Sequence, residues 1–273
     1  MNNVPFLELN DGNKIPQIGL GFWQVKDQDE FNTSFKAGVD AGYRHFDTAQ
    51  AYDNEAFLGE ALTMEGLKRE DVFITTKIKV QNFGQRHLRA SFENSLENLQ
   101  LKYVDLLLLH FPVTILRKKA WLALEEIQKA GLAKSIGVSN FTIKHLEDMK
   151  RYASVTPAVN QVELHVFLQQ PELIQYCHDQ GIVIEAYSPL AHGQEMDNPT
   201  IQTIAKKHGK TYAQIMLRWL FQQGLVVIPK SVTPSRVEEN IDILDFELDA
   251  DDLKDLAVLD KNLRTCWNPS LVP

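Results

Sequence analysis

The feature that most constrains this chain is a recurring passage from helix to glycine to strand. A helical stretch ends in Gly, and a β-branched or leucine-rich run begins one to three residues later. The pattern appears around Gly42 (FKAGVDAGYRHFDT), Gly131 (EIQKAGLAKSIGVSN), Gly181 (YCHDQGIVIEAYSP) and Gly224 (WLFQQGLVVIPKS). Glycine just past a helix accepts the left-handed conformation that ends it. An unbroken apolar run directly after it suits a parallel strand covered on both faces. Read this way, strands fall at 15–21, 43–48, 71–77, 103–110, 132–139, 157–163, 181–188 and 224–230. Helix-length segments such as 85–99, 118–130, 142–151 and 170–179 separate them. Alternation of this kind means a parallel sheet with right-handed crossovers. About eight units in about 250 residues is the size of a closed (β/α)8 barrel. The expected fold is an α/β (β/α)8 TIM barrel, one domain over residues 1–273. A hairpin in 1–14, turning at Asn10-Asp11-Gly12-Asn13, precedes it, and extra helices are expected at 198–209 and 249–259.

Composition narrows the function classes. The net charge of −8 leaves no basic excess to drive binding to nucleic acid or to an anionic membrane. The N-terminus, MNNVPFLELN, lacks the regions of a signal peptide, and no apolar run approaches the roughly 20 residues that span a bilayer. Cys177 and Cys266 are the two cysteines, too few for a disulfide framework. No His-x-His or His-x-x-x-His pair offers metal ligands on one face, so no metal is expected. These features predict a cytoplasmic protein, and the lack of an evident exposed apolar stripe predicts a monomer.

In such a barrel the active site lies at the C-terminal ends of the strands. The leucine run YVDLLLLHFP stops at His110, and the other strands end in polar groups too. Asp47 ends the second strand, with Tyr52 in the loop beyond it, and Lys77 ends the third. Ser139 and Asn140 end the fifth, Gln161 lies on the sixth, Tyr187 and Ser188 end the seventh, and Lys230 and Ser231 the eighth. An acid, a phenol, an amine and an imidazole at one mouth suggest carbonyl chemistry. A lysine ammonium beside a tyrosine lowers the phenol's pKa, and an aspartate keeps the lysine charged. The tuned phenol protonates an alkoxide developing on a carbonyl oxygen, while the imidazole holds that oxygen. None of these side chains supplies a hydride, so reduction requires a nicotinamide cofactor.

The segment VIPKSVTPSRVEEN (227–240) points to that cofactor. Thr233 has the character of an N-cap, with Pro234 at the first helical position and Arg236 in the first turn. A helix start flanked by Lys230 and Arg236 forms a phosphate site, and two cations favour a 2′-phosphate, hence NADPH. Ser139, Asn140 and Gln161 are placed to hold a carboxamide, with the Tyr187 face as platform for the nicotinamide.

Together GYRHFDTAQAYDNE, TTKI, YVDLLLLHFP, IGVSNF, NQVELH, AYSPL and VIPKSVTPSR resemble the aldo-keto reductase superfamily, in the same order from about residue 5 to 250. The likeness is to the bacterial branch of 2,5-diketo-D-gluconate and methylglyoxal reductases. It implies NADPH-dependent reduction of small carbonyls, with Tyr52 as proton donor, Lys77 and Asp47 as its tuning pair and His110 as substrate orienter. It also implies Ser139, Asn140, Gln161, Tyr187, Ser188 and Leu190 toward the nicotinamide. Lys230, Ser231, Thr233 and Arg236 fall toward the 2′-phosphate, with Glu239 and Asn240 near the adenine. Phe22, Trp23, Lys79 and Phe111 are the expected substrate pocket. Three departures bear on substrate: Lys79 where relatives usually carry a pocket tryptophan, Val166 in place of proline after ELH, and a short segment after His110. They predict an open pocket for small or flexible carbonyls, and Lys79 suggests acidic ones. Two other readings are carried: an NADP(H)-binding regulatory barrel with vestigial turnover, and a Schiff-base aldolase using Lys77 or Lys230. A doubly wound dehydrogenase is disfavoured, since Gln24 stands where the third glycine after Gly19 and Gly21 belongs.

Overall fold

A computed structural model describes residues 4–273, with the side chains of 85 and 86 outside that description. The chain opens with an antiparallel hairpin, β1 (Phe6–Glu8) and β2 (Lys14–Pro16). Eight parallel strands follow: β3 (Leu20–Gly21), β4 (His45–Asp47), β5 (Phe73–Ile78), β6 (Val104–Leu109), β7 (Ala133–Ser139), β8 (Val159–Glu163), β9 (Val183–Tyr187) and β10 (Val226–Val227). Each pairs with its sequence neighbour. A parallel bridge between Ile18 and Val227, and the Gly21 N–H donating to the Pro229 carbonyl at 3.0 Å, join the first strand to the last. The sheet therefore curls back on itself, which removes exposed strand edges.

The run 15–21 is not one strand, contrary to the sequence reading. Its first residues close the hairpin, and the chain turns through Gln17, whose side-chain amide is bound by the carbonyls of Phe221 (2.7 Å) and Leu225 (3.2 Å). Gly19 sits so close to His45 that a Cβ there would meet the imidazole at 2.6 Å. Leu9 and Ile15 from the hairpin segment pack against Phe73, Leu106, Leu108, Val159 and Val226, forming a small apolar core at the barrel floor. Because strand side chains alternate in direction, these floor residues share the inward face with the polar residues above them: Lys77 pairs with Leu108, and Val226 with Glu185.

Ten helices surround the strands: α1 (Gln28–Ala41), α2 (Glu55–Met64), α3 (Gln85–Asn98), α4 (Arg117–Lys129), α5 (Ile143–Met149), α6 (Pro171–Asp179), α7 (Pro199–His208), α8 (Tyr212–Gln222), α9 (Pro234–Ile241) and α10 (Ala250–Ala257). The expected extra helices are α7 and α10, tied together where Lys207 meets Asp249 and Asp252 at 2.6 and 2.8 Å. Gly42, at φ 104°, ends α1 as a left-handed cap. The main apolar core lies between strands and helices, with Phe46, Phe92 and Trp121 among its largest fully buried members. Among the described residues, no helix is long and apolar enough to cross a membrane.

Candidate active site

The inward faces of β4, β5, β8 and β9 carry a continuous polar chain through a dry interior. Lys77 is fully buried and places its ammonium 2.6 and 2.7 Å from the two Asp47 oxygens, and 2.9 Å from the Thr48 carbonyl. The Tyr52 hydroxyl is the fourth oxygen, at 3.4 Å. On the far side, the Gln161 amide donates to Asp47 Oδ2 at 2.9 Å and to Glu185 Oε2 at 2.7 Å. Glu185 Oε1 in turn lies 3.4 Å from His45 Nε2. These residues come from four strands, β4, β5, β8 and β9, and the turn after β4, so only the curling of the sheet assembles them.

Tyr52 ends a short 3-10 turn whose first residue, Gln50, is a hydrogen-bond hub. Its amide donates to Ser91 and Ser95 on α3, and its oxygen accepts from the Lys79 N–H and from Asn82, both at 3.0 Å. The turn carrying the phenol is thereby pinned to β5 and α3. The sequence reading expected Lys77 to depress the phenol's pKa. In the folded protein the balance runs the other way: burial, then Asp47, Cys266 and Glu185, hold it well above the ordinary tyrosine value. Desolvation is the largest cause, and the Lys77 charge that would oppose it lies nearer to the Asp47 oxygens than to the phenol. Tyr52 is therefore a neutral hydroxyl that keeps its proton until negative charge develops on an acceptor oxygen. His110 stands across from it, ring centroids 5.6 Å apart in an edge-on arrangement. Burial, helped by the Lys77 charge, lowers its pKa to about 3, so the imidazole is neutral at physiological pH. A neutral imidazole offers one N–H to an acceptor without adding charge to the site.

Next to His110 a second polar set forms. Asn140, in a left-handed conformation at φ 65°, donates to the His110 carbonyl at 3.1 Å and to Ser139 Oγ at 3.0 Å. Its side-chain oxygen accepts from the Tyr187 hydroxyl at 2.7 Å. Ser188 Oγ meets His192 at 2.9 Å, and Leu190 packs partly buried on the core. Further round, Lys230 and Arg236 are both exposed at the start of α9, with no carboxylate in ion-pair range among the described residues. Thr233 occupies the cap position with Pro234 opening the helix, as expected, although its side chain makes no capping bond. Instead the Thr233 N–H donates to Ser231 Oγ at 3.1 Å, and Ser231 is itself held through its carbonyl by Ser34 at 2.6 Å. Glu239 accepts from Thr211 at 2.7 Å, and Asn240 is buried beside it.

The rim differs most from the sequence reading. Phe22 is no pocket wall: it is fully buried, stacked on Phe31 at 4.1 Å and near Phe35 and Phe46. The apolar face of α1 draws it inward, leaving Trp23 alone at the mouth, stacked on His192 at 5.2 Å. Lys79 lines a polar cavity of about 260 Å³ between α2 and α3 with Gln50, Glu55, Asn82 and Ser95, where its charge acts on the buried Glu55 carboxyl. This does not support a direct role in attracting acidic substrates. Phe111 does border the mouth and meets Trp267 edge-on, centroids 6.0 Å apart.

Trp267 belongs to a C-terminal tail that sequence reasoning missed, because nothing in its composition marks it as part of the site. Glu163, buried at the end of β8, anchors it by accepting from Thr265 Oγ1 at 2.7 Å and the Cys266 N–H at 3.3 Å. Cys266 Sγ then lies 3.7 Å from both Ser188 Oγ and His192 Nε2. The His145 ring contacts the Val272 carbonyl at 3.0 Å and Arg117 donates to that of Pro273 at 2.8 Å, so the tail is fastened at both ends.

Chemically, the arrangement places a protonated phenol and a neutral N–H donor at one opening, over a buried ion pair. The set can bind and protonate an oxygen on which negative charge develops. Comparisons with known proteins agree with this chemistry. The profile of the "Aldo/keto reductase family" matches residues 17–261. The chain is 46% identical over 273 residues to the methylglyoxal reductase DkgA of Escherichia coli (strain K12), covering 98% of each. It is 45% identical over 263 residues to a glyoxal reductase of Bacillus subtilis, covering 96% of this chain and 95% of that one. Among solved structures, a Bombyx mori aldo-keto reductase in complex with NADP superposes with a TM-score of 0.91 at 33% identity, covering 97% of this chain and 95% of that one.

Proposed function

The chain belongs to the aldo/keto reductase family, and from that premise we propose that Asp47, Tyr52, Lys77 and His110 carry out its reduction of small carbonyls. It is an NADP-dependent oxidoreductase that converts aldehydes or ketones to alcohols. NADPH, when bound, supplies the hydride to the carbonyl carbon. Tyr52 gives its proton to the carbonyl oxygen as charge builds there. The phenolate left behind is stabilised by the Lys77 ammonium at 3.4 Å. Asp47 keeps that ammonium charged and oriented. His110 donates its ring N–H to the same oxygen and fixes which way the carbonyl points. The observation that carries this reading is the fully buried Lys77, 2.6 Å from Asp47 and 3.4 Å from Tyr52.

The residues present fit the nucleotide. Two exposed cations without carboxylate partners among the described residues, Lys230 and Arg236, flank the start of α9, as a 2′-phosphate requires. Ser139, Asn140 and Gln161 are assigned to the carboxamide, the Tyr187 face to the nicotinamide ring, Ser188 and Leu190 to the loop beside it, and Glu239 and Asn240 to the adenine end. A Schiff-base role for Lys77 is disfavoured, because its three protons are shared among four oxygens, leaving no free lone pair. A purely regulatory barrel would leave that buried pair beside Tyr52 without a task.

For substrate, 2-oxoaldehydes such as methylglyoxal and glyoxal are the preferred class, since the relatives at about 45% identity are named for them. The enzyme is taken as one catalytic domain, acting as a monomer in the cytoplasm; sedimentation velocity reads the oligomeric state directly. The deciding experiment follows NADPH and NADH absorbance with methylglyoxal, an aromatic aldehyde and a diketo-sugar acid. Rapid NADPH oxidation with methylglyoxal supports the reading. Tight NADPH binding with no turnover of any carbonyl would return the regulatory barrel to favour.

A further inference from the structure

Glu185 is fully buried on β9, inside the barrel. No step of the mechanism above uses it. One carboxylate oxygen accepts from Gln161 at 2.7 Å, and the same amide donates to Asp47 at 2.9 Å. The other oxygen, Oε1, has no hydrogen-bond partner among the described residues; it faces His45 Nε2 at 3.4 Å, a nitrogen that also meets Thr75 Oγ1 at 3.0 Å. The groups facing Glu185 are His45 and Asp47 from β4, Thr75 and Lys77 from β5, Gln161 from β8, and the Tyr52 hydroxyl from the turn after β4. From β10 comes only apolar Val226.

The charge count decides the state of this carboxyl. Lys77 is the cation that acts on Glu185, and Asp47 already takes it at 2.6 Å. An ionised Glu185 would put two negative charges against one positive in a region closed to water, an arrangement that buried groups avoid by neutralising. A proton on Oε1 also turns that unpartnered oxygen into a donor. The acid then points at His45 Nε2, 3.4 Å away, a nitrogen it shares with Thr75 Oγ1 at 3.0 Å.

We propose that Glu185 is a positioning residue for proton transfer: an uncharged carboxylic acid that, through the Gln161 amide, holds Asp47 onto Lys77, and whose ionisation slows proton donation by Tyr52. The inference rests on the carbonyl-reductase reading of the site. Gln161 has two amide protons, and Glu185 takes one of them, so the other is directed at Asp47 rather than free to turn. Loss of the Glu185 proton places a second negative charge behind Asp47, offsets the Lys77 field and makes the phenol a weaker acid.

Three variants and one spectrum test this. Glu185→Leu frees Gln161 and should lower kcat by on the order of tenfold, the worth of one or two buried hydrogen bonds. Glu185→Gln keeps the bond and the neutrality and should restore most of that loss at neutral pH. In the wild type, kcat should decline as pH rises through about 8, where Glu185 ionises. The decline should be roughly tenfold, as expected for one buried charge acting across a few ångströms, and Glu185→Gln should lack it. Glu185→Asp keeps the carboxyl and should keep the decline. Separately, infrared difference spectra at pH 7 should show a protonated-carboxyl carbonyl band that Glu185→Gln loses. An unchanged alkaline limb in Glu185→Gln, or no such band in the wild type, overturns the proposal. If no carbonyl is reduced at all, the functional reading fails, while the infrared band still decides whether Glu185 is neutral.

Discussion

The two ends of this site are built on opposite plans. The proton-transfer end is a closed chain of His45, Glu185, Gln161, Asp47 and Lys77, all of them buried. The end proposed for the nucleotide is a helix start with Lys230 and Arg236 exposed to solvent. The difference follows from what each must do. Stabilising a charge that exists only in the transition state needs groups already in place and unscreened. Capturing a charged ligand from water needs cations that reach out, and salt screening is tolerable there.

The sharpest test of this contrast removes the phenol. Tyr52→Phe should lower kcat by about 10²–10⁴-fold, the usual worth of a general acid, while NADPH affinity by fluorescence titration stays as in the wild type. Loss of nucleotide binding would break the division between the two ends. Lys77→Met leaves Asp47 buried without its partner, and such uncompensated charge costs about 3–5 kcal/mol. Urea denaturation should show that loss, together with a collapse of turnover. The other end should behave more mildly. Arg236→Ala should raise the KM for NADPH by roughly tenfold or somewhat more, as loss of a charge-assisted contact does. The KM for NADH should stay put, and added salt should erode the NADPH preference.

Acid titration gives a graded check on the buried end. His45 and His110 have pKa values lowered from 6.5 to about 3, so both stay neutral in the folded protein. Between those limits the unfolded chain binds protons that the folded chain refuses, so stability falls as pH drops from 6.5. Each group contributes about 1.4 kcal/mol per pH unit. Glu185 has the opposite sign. Its value is raised from 4.5 to about 8, so its contribution is full below 4.5 and is lost as pH rises to about 8. These three groups together place maximum stability near pH 6.5, and a thermal-melt series across pH reads the position directly. The smallest effect is expected at Lys79, where substitution by tryptophan should leave the preference between acidic and neutral carbonyls unchanged.

Much of this was legible in one dimension. The glycine-ended helices and the polar strand ends placed Asp47, Lys77, His110, Asn140 and Tyr187 correctly at one mouth, because period-two alternation along a parallel strand fixes which residues share a face. The hairpin boundary was misread, since the apolar run 15–21 gives no sign that Gln17 will bond across to Phe221 and split it. Glu185 lay in plain view within GIVIEAYS, and only the inward parity that it shares with Tyr187 hinted at a role. Trp267, Cys266 and Glu163 offered no local signal, since the tail's contact with β8 spans about a hundred residues of sequence.

What the sequence determined alone is the set of chemical groups and the strand ends that carry them, for those depend on local period and on capping. The folded structure decided their electrical state and their direction. Phe22 turned inward because α1 offered it an aromatic core, and Lys79 lines the polar cavity that Glu55 also lines. The Tyr52 phenol rose in pKa where it was expected to fall, because desolvation and neighbouring charge are properties of a closed interior and of distances across it. No pattern along the chain records those distances.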